Sequence, residues 1–125
     1  MILVDSSVWI AAWRGDGSAA NTLSRLIEGG DAVINPLIRT ELLQGARDRR
    51  HQQELKGLLT PITVLPLPES LWNKAPEIYL QSRERGTTLT TIDCLIATHA
   101  RIERIMLWSL DQALSKVPGV RALNP

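Results

Sequence analysis

The sequence predicts an α/β domain with three layers, in which helices cover both faces of a mostly parallel sheet of about five strands. Two runs of consecutive apolar residues, Met1–Val4 and Ile105–Trp108, support this prediction because neither alternates with polar residues. Such runs are typical of strands that are buried on both faces of a parallel sheet. Segments with helical spacing of apolar residues separate the predicted strands, as in α/β folds. We therefore expect one domain over residues 1–125.

The first half of the chain is predicted to contain two strands and four helices. Gly15 and Gly17 interrupt the first helix, Gly29 stops the second, and Asn35 caps the third with Pro36 at its first position. In order, the predicted elements are a strand at Met1–Val4, a helix at Ser7–Arg14, a helix capped by Ser18, a strand at Ala32–Ile34, a helix from Pro36 to about Arg47, and a helix at Arg49–Leu59.

The second half is predicted to alternate in the same way. Pro76 lies inside a helical pattern, where a proline removes a hydrogen bond and clashes with the preceding turn, so we expect a kink or two short helices there. In order, the predicted elements are a strand at Ile62–Leu65, a helical segment from Pro68 to Gly86, a helix capped by Thr90-Thr91 and ending near Glu103, a strand at Ile105–Trp108, a short helix to about Lys116, and an edge strand near Val120–Ala122.

Composition and charge limit the function classes. The net charge of +1 excludes a protein that binds polyanions through bulk charge alone, so RNA contacts would depend on local basic residues, for which the candidates are Arg39, Arg47, Arg49 and Arg50. The chain has no Phe and one Tyr, which disfavours a platform for stacking bases. No apolar run approaches the roughly 18 residues of a membrane span, and the N-terminus lacks the pattern of a signal peptide, so we expect a cytoplasmic protein with no membrane contact.

The sequence contains few candidate ligands for a soft metal. One cysteine, Cys94, and two histidines, His51 and His99, form no recognisable zinc spacing. Both Cys94 and His99 lie among apolar residues of a predicted helix, where packing is the simpler explanation. A metal ion in this protein would therefore be held by oxygen ligands.

Four carboxylates, which we call the acidic quartet, are predicted to meet at one edge of the sheet: Asp5, Glu41, Asp93 and Asp111. Asp5 and Asp111 follow the two apolar strands, Asp93 begins the helix before the second of these, and Glu41 lies in the helix after Ala32–Ile34. If the two apolar strands are neighbours, this edge is the switch point at which α/β proteins bind ligands. For Asp5 alone, capping of the following helix explains the residue equally well.

The chain resembles the PIN-domain family, and within it the toxin ribonucleases of VapC type. Four segments in order carry the resemblance: Val4-Asp5-Ser6-Ser7-Val8, Glu41-Leu42-Leu43-Gln44-Gly45, Thr91-Ile92-Asp93 with Gly86 before it, and Leu107-Trp108-Ser109-Leu110-Asp111. Some members of the family carry a further acid two residues after the fourth motif acid, where this chain has Ala113.

The resemblance implies a metal-dependent endoribonuclease that cuts structured RNA, such as a tRNA or an rRNA loop, and that pairs with a VapB-like antitoxin. Like charges about 4 Å apart repel by about 4 kcal/mol at an effective dielectric constant near 20, so the acidic quartet needs a neutralising cation. Hard oxygen ligands suit Mg²⁺ or Mn²⁺. We expect Asp5 and Asp93 to be the principal ligands and Glu41 and Asp111 to complete the site. Ser7 and Ser109 could hydrogen-bond this group, although helix capping explains both serines about as well.

Two other function classes stay open at this point. A phosphatase or phosphotransferase with Asp5 as nucleophile typically has a second Asp two residues later, where this chain has Ser7. A non-catalytic interaction domain would use the same fold without chemistry. The aromatic cluster of Trp9, Ile10 and Trp13 predicts a homodimer interface or, failing that, an antitoxin-docking surface.

Overall fold

A computed structural model describes all 125 residues and confirms an α/β fold with a parallel sheet flanked by seven helices. The elements are β1 (Ile2–Val4), α1 (Ser6–Trp13), α2 (Gly17–Glu28), β2 (Ala32–Ile34), α3 (Pro36–Gln44), α4 (Arg49–Leu59), β3 (Thr63–Val64), α5 (Leu71–Glu84), α6 (Thr91–Glu103), β4 (Met106–Trp108) and α7 (Gln112–Ser115).

The sheet has the strand order β3-β2-β1-β4, and every neighbouring pair is parallel. The order confirms that the two apolar runs are adjacent, because β1 pairs with β4 and Val4 lies opposite Trp108. In the sheet, β2 lies on one side of β1 and β4 lies on the other side. The two strands that precede Asp5 and Asp111 therefore flank the point at which the strand order reverses.

The predicted edge strand near Val120–Ala122 is not a full strand, and the sheet contains four strands instead of about five. Ala122 forms only one isolated parallel bridge to Leu107. The N–H of Val120 donates to the carbonyl of Val117 at 3.2 Å, so the start of the segment belongs to a turn and cannot extend the ladder. The C-terminal segment thus covers the edge of β4 without adding a full strand.

Several helix limits differ from the predictions: α3 ends at Gln44 instead of near Arg47, and α5 begins at Leu71 instead of at Pro68. Asp16, not Ser18, caps α2, and its side chain accepts a hydrogen bond from the N–H of Ala19 at 3.1 Å. Helix α5 continues through Pro76 as one helix. Pro76 lies on the exposed side of α5, where water is available to the carbonyl that loses its partner. The predicted caps Asn35 and Thr90 are confirmed by their side-chain hydrogen bonds to backbone N–H groups.

The aromatic cluster in α1 divides between core and surface. Trp9 is 2% exposed, and its indole N–H donates to the carbonyl of Val4 at 3.1 Å. Trp13 is 37% exposed and contacts Trp9 in a tilted arrangement with 6.0 Å between ring centroids. The cluster is therefore not a continuous exposed patch, because its first member anchors α1 to the end of β1. None of the seven helices combines the length and apolar character that a membrane-spanning helix needs.

Candidate functional site

The ends of β1 and β4 bring two predicted site segments into direct contact. The N–H of Asp5 donates to the carbonyl of Trp108 at 2.9 Å, which extends the ladder one residue beyond the paired strands. Ser109, the first residue after β4, therefore lies beside Asp5. This contact follows from the parallel register of two equally short strands.

Asp5 is buried, with 4% of its surface exposed, and it does not cap α1 through its side chain. Its Oδ2 atom instead accepts hydrogen bonds from the hydroxyls of Ser7 at 2.7 Å and Ser109 at 2.8 Å. Both bonds use one oxygen, which leaves Oδ1 for another partner. The capping explanation for Asp5 therefore fails, and the predicted contacts of the two serines with this carboxylate are present.

The two serines also order the loop that carries Asp111. The N–H of Leu110 donates to the Ser7 hydroxyl at 3.0 Å, and the N–H of Asp111 donates to the Ser109 hydroxyl at 3.0 Å. The two hydroxyls lie 3.3 Å apart. Each serine thus connects the buried carboxylate of Asp5 to the backbone after β4.

Glu41 is half-buried on α3 and faces the same edge of the sheet. The hydroxyl of Ser6 donates to its Oε1 atom at 3.2 Å. Burial raises the pKa of the Glu41 carboxyl, the Ser6 hydrogen bond opposes that rise, and the negative charges of Asp5 and Asp93 add to it. Ser6 was not among the predicted site residues, since only the packing of α1 against α3 directs its side chain toward Glu41.

Asp93 lies in the first turn of α6, one turn after the cap Thr90, whose hydroxyl accepts from the Asp93 N–H at 3.1 Å. Burial raises the pKa of the Asp93 carboxyl, and the charges of Asp5 and Asp111 raise it further against a lowering hydrogen bond from Thr90. The carboxylates of Asp93 and Glu41 are thus both electrostatically coupled to Asp5.

Asp111 lies at the exposed rim of this group. Its Oδ1 atom accepts from the N–H of Ala113 at 2.9 Å and so caps α7. The charges of the acidic quartet are linked in pairs: Glu41 interacts with Asp5 and Asp93, and Asp93 interacts with Asp5 and Asp111. No three acidic, histidine or cysteine side chains in the structure are arranged as a ready-made metal site.

The candidate RNA-binding arginines lie on α3 and around the start of α4. Arg39 is partly buried on α3, whereas Arg47, Arg49 and Arg50 are exposed around the start of α4. Arg50 forms an exposed ion pair with Glu54 at 3.7 Å. No side-chain hydrogen bond or ion pair connects these arginines to the acids.

Cys94 and His99 are buried in α6 and take no part in the site. The Cys94 thiol donates to the carbonyl of Ala75 at 3.1 Å. The Nδ1 atom of His99 lies 3.0 Å from the side-chain nitrogen of Asn35, the cap of α3. This buried pair joins the helix that carries Glu41 to the helix that carries Asp93.

Comparison with known proteins identifies the family to which this arrangement belongs. The PIN domain family matches residues 2–120, nearly the whole chain. The chain belongs to the PIN-domain family. Metal dependence is typical of nucleases with this domain.

Within the family, the chain is homologous to VapC ribonuclease toxins. It is 34% identical to ribonuclease VapC11 of Mycobacterium tuberculosis over 105 residues, which cover 80% of this chain and 78% of that protein. It is 31% identical to ribonuclease VapC10 of the same species over 111 residues, which cover 89% and 83% of the two chains. The crystal structure of VapBC2 from Rickettsia felis, bound to a DNA fragment from its promoter, contains a chain of the same fold, with a TM-score of 0.83 at 19% identity and coverage of 99% and 98%.

Proposed function

We propose that the protein is a metal-dependent endoribonuclease that acts as the toxin of a toxin-antitoxin pair and hydrolyses a phosphodiester bond in structured RNA. The observation that carries this proposal is the environment of Asp5. A buried carboxylate with one free oxygen lies beside two carboxyl groups, Glu41 and Asp93, whose pKa values are raised partly by its charge. Such crowding of negative charge costs stability, which is consistent with a site that has a functional role.

The chemistry of these residues fits Mg²⁺ or Mn²⁺. All four candidate ligands are carboxylates, the hard oxygen donors that these ions prefer, and a divalent cation would relieve their mutual repulsion. Asp5 and Asp93 would hold the ion most directly, through Oδ1 in the case of Asp5. Glu41 and Asp111 would complete the site directly or through water. An ion held there would make a bound water more acidic and would polarise a phosphate oxygen.

The other side chains position these groups. The hydroxyls of Ser7 and Ser109 hold Oδ2 of Asp5, so that Oδ1 keeps one orientation. Ser6 holds Oε1 of Glu41, and this carboxylate would accept a proton from the water that attacks phosphorus. A bond then forms between that oxygen and phosphorus, the bond to the leaving ribose oxygen breaks, and a proton from solvent neutralises the leaving oxygen.

The toxin role and the antitoxin partner rest on similarity to named proteins. VapC11 and VapC10 are ribonucleases by name, and both align over most of this chain. Solved structures of the same fold include VapBC complexes from Rickettsia felis and Salmonella typhimurium. We infer a VapB-like antitoxin for this protein, together with a homodimer, which light scattering at micromolar concentration would test.

A cleavage assay on folded RNA tests the proposed activity. We expect the purified protein to cut structured RNA with Mn²⁺ and to be inactive in excess chelator. Asp5→Asn keeps the side-chain size but removes the central charge, and it should lower cleavage to background. Asp48→Asn, a matched change at the cap of α4, should cleave like the parent. Cleavage that survives in chelator, or in Asp5→Asn, would refute the proposal.

A further inference from the structure

A polar cleft of about 280 Å³ opens on the α7 side of the acidic quartet. Its wall includes Asp16 and Ser18 from the start of α2, Ser109 from the end of β4, and Gln112 and Ser115 from α7. Neither Lys nor Arg lines it. The cleft therefore offers nothing that would favour a phosphate over a neutral group.

Several polar groups in this cleft have no partner within the protein. Asp16 uses Oδ1 to cap α2, which leaves Oδ2 free, and the side chains of Ser18 and Gln112 form no hydrogen bond. The same wall has an apolar part, formed by Leu123 and by Leu110, which is 48% exposed. Free polar groups beside an apolar surface suit a flat ligand with apolar faces and a polar edge, as a nucleobase has.

The cleft meets the surroundings of the acidic quartet at Ser109, although none of the four acids lines it. The hydroxyl of Ser109 donates to Oδ2 of Asp5 at 2.8 Å, and Ser109 also lines the cleft. Gln112 directly follows Asp111, the rim carboxylate. These two connections, through Ser109 and Gln112, would bring a base next to the scissile phosphate toward this cleft.

We propose that this cleft binds the base of a nucleotide next to the scissile phosphate and that Asp16 selects guanine. This inference rests on the proposed ribonuclease function. The free Oδ2 atom of Asp16 accepts hydrogen bonds only and has lone pairs for two of them, and the Watson–Crick edge of guanine presents two adjacent donors, the ring N1–H and the N2 amino group. Adenine and cytosine each present one amino group on that edge, beside a ring nitrogen that repels a carboxylate.

The first test compares base preference in cleavage of a random-sequence RNA pool with Mn²⁺. The parent should prefer guanosine beside the cut, and replacing that guanosine by inosine, which lacks the N2 amino group, should slow cleavage by about tenfold. Asp16→Asn keeps a good cap for α2 but loses one acceptor, and it should lose this preference while still cutting. Asp48→Asn provides the matched cap control and should keep it. A preference that is absent in the parent, or unchanged in Asp16→Asn, would overturn the inference.

A binding measurement separates this inference from the proposed activity. Guanosine and inosine 5′-monophosphates carry the same phosphate and differ only in the N2 amino group. In amide NMR spectra of the metal-free protein, the guanosine nucleotide should shift Ser18 and Gln112 at lower concentration than the inosine nucleotide, and Asp16→Asn should remove the difference. Equal shifts for both nucleotides, or none at these residues, would refute the cleft assignment even if RNA is cut. Selective shifts in a protein that cuts no RNA would support the cleft and refute only the ribonuclease.

Discussion

Replacing Asp93 by Asn should make the metal-free protein more stable, although it should abolish activity. The change keeps the shape of the side chain and removes one negative charge from the acidic quartet. Burial, Asp5 and Asp111 all raise the pKa of the Asp93 carboxyl, so its charged form is disfavoured in the folded protein. Removing that charge should therefore raise the free energy of unfolding.

The expected gain is about 1 kcal/mol. Two unit charges about 4 Å apart repel by about 1 kcal/mol in bulk water and by about 4 kcal/mol near a protein surface. Asp93 is only partly buried, so screening by water brings its repulsion from Asp5 well below the surface figure and toward the bulk one. The first turn of α6 favours a negative charge by about 0.3–1 kcal/mol, which offsets part of the gain, and the interaction with Asp111 adds to it. A gain of about 1 kcal/mol corresponds to a rise in Tm of about 3–5 °C for a domain of this size.

Bound metal should make the parent more stable than Asp93→Asn. A ligand at 100 times its Kd adds about 2.7 kcal/mol to the stability of the parent. If the loss of Asp93 weakens binding about 100-fold, the variant gains only about 0.4 kcal/mol at the same concentration. Thermal unfolding of the parent and of Asp93→Asn, in chelator and in excess Mn²⁺, shows which protein has the higher Tm in each condition. Asp48→Asn is the control, since it makes the same chemical change at another helix start.

The opposite results would refute this reasoning. If Asp93 served only to begin a helix, Asp93→Asn would be slightly less stable than the parent in chelator, and Mn²⁺ would shift both proteins equally. Equal metal-induced shifts would show that Asp93 neither holds the ion nor contributes to the repulsion that the ion relieves.

Three further predictions concern the surroundings of the acidic quartet. Ser7→Ala should weaken Mn²⁺ binding by about 10- to 100-fold in calorimetric titration, because Oδ2 of Asp5 loses a donor, and Ser7→Thr should restore it; equal affinity for all three proteins would contradict this role. Burial lowers the pKa of His99 below its ordinary value, and Glu103 opposes this effect. Because the unfolded chain then binds a proton at a higher pH than the folded protein does, the free energy of unfolding should fall as the pH drops from about 6.5 to the folded-state pKa. The slope should be at most about 1.4 kcal/mol per pH unit. In urea unfolding at a series of pH values, His99→Gln should not show this fall in the free energy of unfolding. An equal fall in the parent and in His99→Gln would mean that another group causes it. Trp9→Ala should cost about 3–5 kcal/mol in the same assay, whereas a comparable loss for Trp13→Ala would show that the two rings are equally buried.

Much of the sheet could be predicted from short local patterns. Short uninterrupted apolar runs are typical of strands buried on both faces, so Met1–Val4 and Ile105–Trp108 indicated β1 and β4, with the start of each one residue too early. Asn35-Pro36 indicated the start of α3 because the Asn side chain satisfies a free N–H of the first turn and Pro lacks an N–H where none would be bonded. Placing β1 beside β4 at the switch point then brought Asp5 and Asp111 to one edge.

The errors arose where several residues compete for one local role. Asp16 and Ser18 are both good caps, and the choice between them depends on where α2 meets its neighbours. A three-residue run such as Val120–Ala122 does not reveal that its first N–H is used in a turn. Pro76 did not divide α5, since its side of the helix faces solvent.

Long-range side-chain contacts could not be predicted from the chain alone. Ser6 donates to a residue 35 positions away, and His99 pairs with Asn35 across 64 positions. Nothing in the local sequence of Ser6 distinguishes it from Ser7, which contacts Asp5 instead. Only the packing of α1 and α6 against α3 decides which partner each side chain meets.

The most direct test of the metal-dependent active site is anomalous diffraction from crystals soaked in Mn²⁺. We expect an anomalous peak within bonding distance of Oδ1 of Asp5 and of the Asp93 carboxylate, with Glu41 and Asp111 within reach directly or through water. The peak should disappear in crystals of Asp5→Asn. A manganese ion bound elsewhere, or no bound ion in a protein that still cuts RNA, would contradict the assignment of this site.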